Sequence, residues 1–317
     1  MYNLTINNTT MKKIFAVVAA LGLAASVAFA QDYNAAVETF NAGAQALETN
    51  KTEALAQFRA ALEQAQALEG EDAEALVAKC KEAIPGVILS IAKEKINEGA
   101  YDEALASLAE AQSVAGEYEV AAVAEEAASL VPNTYMRKGS TLLKAGDFAG
   151  AAEALEEVTK LTPEDGKAFL LLGQAQLQGG ATNKAVASLE KANELGETQA
   201  AKLLSTTYLK MGMGLVKAGK NAEAIEALEK SNSYVESANA YKLIASAYTK
   251  SGKSAKAIEA YKKYLEIEPN AKDAADIIFT IAATAQKAGD KATAKEYYKK
   301  LAGTKYAAQA EAQLKTL

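Results

Sequence analysis

The sequence predicts an all-α protein built as a row of helix hairpins. Three observations in register predict it. Alanine recurs inside successive amphipathic segments at Ala54, Ala104, Ala151, Ala185, Ala224, Ala257 and Ala294. Twelve residues before each stands a second small residue: Ala42, Ala92, Gly139, Gly173, Gly212, Ala245 and Ala282. A glycine falls five residues before six of the alanines, at Gly99, Gly146, Gly180, Gly219, Gly252 and Gly289, with Asn50 in that role in the first hairpin. Two antiparallel helices that cross closely need small side chains at the crossing and larger ones beside it. Glycine between them takes the left-handed conformation that ends a helix.

The larger side chains stand where that geometry needs them. Ile88, Tyr135, Phe169, Tyr208, Tyr241 and Ile278 lie four residues before the small residue of the first helix. Phe58, Leu108, Leu155, Leu189, Leu228, Tyr261 and Tyr298 lie four after the alanine of the second. The alanine markers are spaced 50, 47, 34, 39, 33 and 37 residues apart. In the two long intervals an amphipathic segment runs up to a proline, Glu71–Ile84 to Pro85 and Glu117–Val131 to Pro132. Proline is tolerated in a first helical turn and disrupts an interior one. Either an extra helix precedes each of these two hairpins, or the first helix is long and kinked. Ala75, Leu76, Cys80 and Ile84 give the first of these segments an apolar stripe that packs on the array. At the end of the chain Ala310, Leu314 and Leu317 face one way and Gln309, Glu311 and Lys315 another, the pattern of a capping helix over 307–317.

The stretch Tyr135–Pro163, YMRKGSTLLKAGDFAGAAEALEEVTKLTP, joins all these features. It resembles a tetratricopeptide repeat (TPR), a helix–turn–helix unit of about 34 residues. The resemblance covers about Asp32–Leu317 and is strongest from Pro132 to Pro269. It implies a right-handed α-solenoid, a superhelix of about seven hairpins: a degenerate first hairpin over 31–70 and the array over 71–306. It also implies a concave surface, lined by the first helices, that binds an extended peptide or a helix. That surface would carry Met136, Ser140, Leu143 and Lys144, then Leu170, Gln174 and Leu177. Leu209, Met213, Val216 and Lys217 would follow, then Lys242, Ser246, Lys250, Phe279 and Lys287. The competing reading packs the apolar members against neighbouring helices. Chaperone-binding members hold a carboxylate in a clamp of Lys and Asn. Met136 and Leu170 stand where that clamp needs Lys, so it is absent from those hairpins.

The start of the chain reads as an export signal. Met11-Lys12-Lys13 opens a second beginning, Ile14–Ala25 is apolar, and Ala28-Phe29-Ala30 is an A-x-A cleavage pattern before Gln31. Residues 1–30 thus read as a misassigned start plus a cleaved secretory signal. The alternative, a membrane anchor, needs an apolar span of about 20 residues, and this run is shorter. The expected location is the periplasm or the cell envelope.

Composition narrows the chemistry. The chain of 317 residues contains no His and one Cys, Cys80. The commonest general base and metal ligand is missing, no disulfide can form within the chain, and no metal or other cofactor is expected. Gly214–Lys220, GLVKAGK, and Gly252-Lys253-Ser254 imitate parts of a phosphate-binding loop, but Asn221 and Ala247 break the motif. Both fall on helix turns, so no nucleotide is expected. Cys80 reads as a small core residue rather than a reactive thiol. The acids are scattered over polar faces, so enzyme activity is not expected. Charge is uneven: residues 241–317 hold 14 Lys and 8 acids, whereas 31–240 hold 18 basic and 32 acidic residues. That division suits solubility alone, or self-association through oppositely charged ends, or docking on an anionic surface. With two Arg and no basic stripe, nucleic acid is not an expected partner.

The leading expectation is a non-catalytic periplasmic scaffold or adaptor that binds a protein or peptide in its groove. The alternative is a structural or assembly subunit of a cell-envelope complex, held by its faces and ends. Processing offers the first test. N-terminal sequencing of protein taken from the native cell envelope should begin at Gln31; a retained Met1 or Met11 would contradict the signal.

Overall fold

The computed structural model describes residues 27–317, which hold fifteen helices and no strand. The apolar run over 14–25 lies outside the described residues, and the expected cleavage point after Ala30 falls in the first helix. That helix, α1 (Val27–Ala46), pairs with α2 (Lys51–Gln66). Next come α3 (Glu71–Glu98) with α4 (Tyr101–Glu117), and α5 (Ala121–Ala145) with α6 (Phe148–Leu161). These three hairpins form one compact unit, ending at Pro163. A second unit, Glu164–Leu317, holds four hairpins and a last helix. Its members are α7 (Gly166–Gln178) with α8 (Thr182–Glu194), α9 (Thr198–Lys217) with α10 (Asn221–Tyr234), and α11 (Ala238–Lys250) with α12 (Ser254–Ile267). Then follow α13 (Ala274–Lys287) with α14 (Lys291–Lys299), and α15 (Ala307–Leu314). Within each unit every helix packs on the helices before and after it, the arrangement of an α-solenoid. The division at Pro163 leaves no composition signal, and the sequence reading draws no boundary there.

All seven marker alanines are fully buried, each at 0% exposure. The reason is visible at the glycines opposite them. A Cβ added to Gly139 would lie 2.6 Å from Leu155 Cγ, one on Gly173 2.6 Å from Leu189 Cγ, and one on Gly212 2.5 Å from Leu228 Cγ. The leucine four residues after each marker therefore fills the space that the missing side chain leaves. Ala92, Ala245 and Ala282 take the same place opposite Leu108, Tyr261 and Tyr298, and all six are buried. The six turn glycines have φ between 71° and 83°, which a side chain would strain.

The first hairpin departs from the register. Ala42 is exposed; Gly43 is the buried residue at the crossing, and a Cβ there would meet Ala54 O and Phe58 Cδ1 at 3.2 Å. Its crossing residues, Gly43 and Ala54, stand eleven apart rather than twelve, and four residues, 47–50, link the two helices. Asn50 does not end α1 in a left-handed conformation but caps α2, extended at φ −152°, with its side chain accepting from Glu53 N. That side-chain oxygen satisfies a free amide at the start of α2.

Both prolines lie inside continuous helices, Pro85 in the 28-residue α3 and Pro132 in the 25-residue α5. No separate helix precedes either hairpin. Each proline leaves one carbonyl a turn earlier without its helical donor. Ile84 and Val87 around Pro85 are buried in the core, which fixes α3 there despite the loss. Leu76, Cys80 and Ile84 form the buried stripe of α3, but Ala75 is exposed and Ala73 buried in its stead. Ion pairs join successive hairpins of the first unit: Lys51 with Glu94, Lys93 with Glu126 at 2.6 Å, and Lys138 with Asp102. In the second unit Ala310 of α15 is buried and Leu314 and Leu317 pack on the last hairpins.

A bulky side chain at a marker tests this packing. Ala185→Phe should force α7 and α8 apart and destabilise the protein by about 1–3 kcal/mol. Urea unfolding reads this directly, and an unchanged midpoint would remove Ala185 from the crossing.

Candidate protein-binding surface

The first-helix face is built by what the crossings leave over. On α9 the crossing takes Gly212, and Leu204, Tyr208 and Ala200 go into the core. What remains on another stripe is Leu209, Met213, Val216 and Lys217. Leu209 and Val216 are half-buried and pack on the core beneath. Met213 is 38% exposed. The other large apolar residues exposed among those described, Leu161, Val235 and Ile267, stand at or just beyond the ends of second helices. Met213 alone is exposed within a first helix.

The remaining groove candidates divide. Leu170 is only 5% exposed and packs with Leu189, Ala192, Leu204 and Tyr208, which corrects its assignment to an open surface. The cause is the following hairpin: Leu204 and Tyr208 of α9 join Leu170 in one core cluster, so an apolar stripe that would be open on one hairpin is closed by its neighbour. Gln174 is half-buried, and Leu177 packs on the same cluster, half-buried too. In the first unit, Met136 and Leu143 of α5 are half-buried and Lys144 is exposed. Lys144, Lys217, Lys250 and Lys287 all lie in the last turn of a first helix, where the helix dipole favours a cation. They therefore stand at the hairpin turns rather than mid-helix. Lys242 is not free, because it pairs with Asp273 and lies 5.5 Å from the Tyr264 ring. Phe279 stacks on Tyr306 at 4.6 Å.

A second concavity was not legible in the sequence. A cavity of about 560 Å³ lies between the second helices α10 and α12, with α11 beneath. Glu229, Asn232 and Ser233 line one wall, Lys256, Glu259 and Lys263 the other, and Tyr241, Ile244 and Tyr248 the floor. The floor residues fall on a different stripe of α11 from Lys242, Ser246 and Lys250. Tyr248 donates to Glu229 at 3.3 Å and Tyr241 to Glu236 at 3.0 Å. Burial first, and then these carboxylates, push both phenols above their usual pKa. Beside it, Tyr208 and Tyr234 stack at 6.1 Å and both donate to Glu190. Burial and that carboxylate push Tyr234 up to about 12. These hydroxyls stay protonated and structural at neutral pH.

Among the described residues no group of three or more His, Cys, Asp or Glu could hold a metal. Gly214–Lys217 ends α9, and α10 begins at Asn221, so GLVKAGK is a helix stop with no strand before it. Lys253 is the N-cap residue of α12 in the same way.

Two stretches, 136–200 and 209–272, match the family model described as tetratricopeptide repeat. They contain the markers Ala151, Ala185, Ala224 and Ala257; the first runs from within α5 to the first turn of α9, and the second from within α9 to the residues that follow α12. Among solved structures the chain is similar to a crystal structure of MamA protein, at 28% identity over 55% of this chain and 91% of that one, with a TM-score of 0.34. A second crystal structure of MamA matches at 27% identity over 56% and 97%, with a TM-score of 0.32. MamA 41-end from Desulfovibrio magneticus RS-1 matches at 21% identity over 54% and 92%, with a TM-score of 0.32. No curated protein matches.

Cys80 is fully buried, and burial pushes its thiol up to about 12. Below that pH the reactive thiolate is scarce in the folded protein. An alkylating reagent at pH 8 should therefore leave Cys80 unmodified until denaturant is added. Rapid labelling of the native protein would place the thiol at the surface.

Proposed function

We propose, from the tetratricopeptide repeats over 136–200 and 209–272, that this protein is a non-catalytic scaffold that binds another protein or peptide on the first-helix face of its second unit. Repeats of this family serve as protein-interaction scaffolds. The observation that carries the assignment to this face is Met213, a flexible apolar side chain exposed on α9 one turn before its end. A methionine adapts its shape to an apolar partner, and apolar anchors carry much of an interface's affinity. Leu209 extends the anchor, and Lys217, Lys250 and Lys287 favour a partner with acidic flanks. Leu170 supports the face from within and does not touch the partner. The signal-like residues 12–30 support export, with the partner met in the periplasm or the envelope.

The charge division favours a second reading, an assembly subunit of an envelope complex or a self-associating chain joined through its oppositely charged ends. The two readings separate at Met213. Met213→Ser should keep the unfolding free energy within about 0.5 kcal/mol, as surface changes do, and lose the partner that the unaltered protein captures from an envelope extract. Leu170→Ser should instead cost about 2–5 kcal/mol, because it puts a hydroxyl into the core. Capture that survives Met213→Ser would move the partner off this face and favour the assembly subunit.

A further inference from the structure

Successive helices of the second unit are antiparallel neighbours, so all four turns inside its hairpins fall on one edge of that unit. Over 175–185, 214–224, 247–257 and 284–294 this edge carries eight lysines and two acids. The lysines are Lys184, Lys217, Lys220, Lys250, Lys253, Lys256, Lys287 and Lys291, and every one is exposed. Only Lys220 forms an ion pair among the described residues, with Glu223 at 3.2 Å. The same windows of the first unit, 44–54, 94–104 and 141–151, carry three lysines and seven acids.

Helix stability does not account for the difference. The start of a helix favours acids and disfavours cations. The first unit largely follows this: Lys51 opens α2 but Glu53 stands in its first turn, Asp102 and Glu103 stand in that of α4, and Asp147 caps α6. In the second unit α10 has Glu223 in its first turn and Asp290 caps α14, but α8, α12 and α14 have no acid in the first turn and no acid caps α8 or α12. Lys184, Lys256 and Lys291 lie there instead, and Lys220 and Lys253 occupy N-cap positions. At Lys184, Lys253 and Lys256 no local acid offsets the cation, so three lysines stand where local energetics oppose them, which marks a surface shaped by something other than folding.

We propose that this edge docks the protein peripherally on an anionic lipid bilayer. The cations are all lysines, hydrated point charges on flexible stems, with none of the arginine that fixed bidentate recognition uses. The turn residues between them are small or polar, Asp290 among them, and the windows' large apolar residues, Leu177, Leu215, Val216 and Tyr248, are half-buried, so the edge exposes no apolar anchor of the kind a folded protein partner would need at an interface core. A fluid array of headgroups meets such a row without shape complementarity. Screening confines the repulsion from the acidic remainder of the chain to about 8 Å at physiological salt.

The test uses the chain over 31–317 in co-sedimentation with vesicles of phosphatidylcholine containing about 30% phosphatidylglycerol. The protein should sediment with these at low salt, be released at high salt, and ignore pure phosphatidylcholine. The variant Lys184→Gln, Lys220→Gln, Lys253→Gln, Lys291→Gln avoids the proposed protein-binding face. It should bind at least about 10-fold more weakly, with an unfolding midpoint equal to or above the parent's. The control Lys191→Gln, Lys202→Gln, Lys272→Gln, Lys305→Gln makes the same change in net charge near the opposite edge and should bind as the parent does. No sedimentation with anionic vesicles, equal loss in both variants, or loss in neither would overturn the proposal. Binding to polyglutamate without binding to vesicles would overturn it in favour of an acidic polypeptide.

Discussion

The contact between a small residue on one helix and a branched or aromatic side chain on the next holds every hairpin together. Where Gly139, Gly173 and Gly212 face Leu155, Leu189 and Leu228, even one methyl group has no room. Close approach fixes which residues can lie at the crossing and, through it, the register of both helices. Everything outside that register is then sorted by default. Residues one stripe away either meet the neighbouring hairpin, as Leu170 does, or remain open, as Met213 does.

This sorting explains how far the sequence could be read. The marker alanines and turn glycines are legible because each position tolerates one kind of residue for a steric reason that is local to the hairpin. The first hairpin departs from the pattern because its crossing lies one residue later on α1, at Gly43, and a glycine-free link of four residues, 47–50, joins its helices. Patterns that rely on a fixed offset cannot register such a change, although Gly43 beside Ala42 hinted at it. The prolines could not be settled from sequence, since the burial that sustains a helix through Pro85 comes from other hairpins.

The candidate site was less legible than the fold. Whether Leu170, Leu177 or Leu209 is open depends on how the next hairpin lies, which no single repeat encodes. The basic groove end also changes meaning. Lys217, Lys250 and Lys287 stand at helix ends and share an edge with lysines of the second helices, a relation that emerges only when turns far apart in sequence are brought together. The cavity over Tyr241 and Tyr248 draws on three helices and leaves no motif in any of them.

If the crossing contact organises the fold, its two sides must be energetically coupled. A double-mutant cycle of Gly212→Ala and Leu228→Ala, followed by urea unfolding, measures this. Gly212→Ala inserts a methyl against Leu228, and Leu228→Ala removes the group it strikes while leaving a cavity that the methyl partly fills. The double variant should be more stable than the sum of the single losses by about 0.5–3 kcal/mol. Losses that add to within about 0.5 kcal/mol would mean that the two side chains do not meet, and the crossing would not be what sets the register of the array.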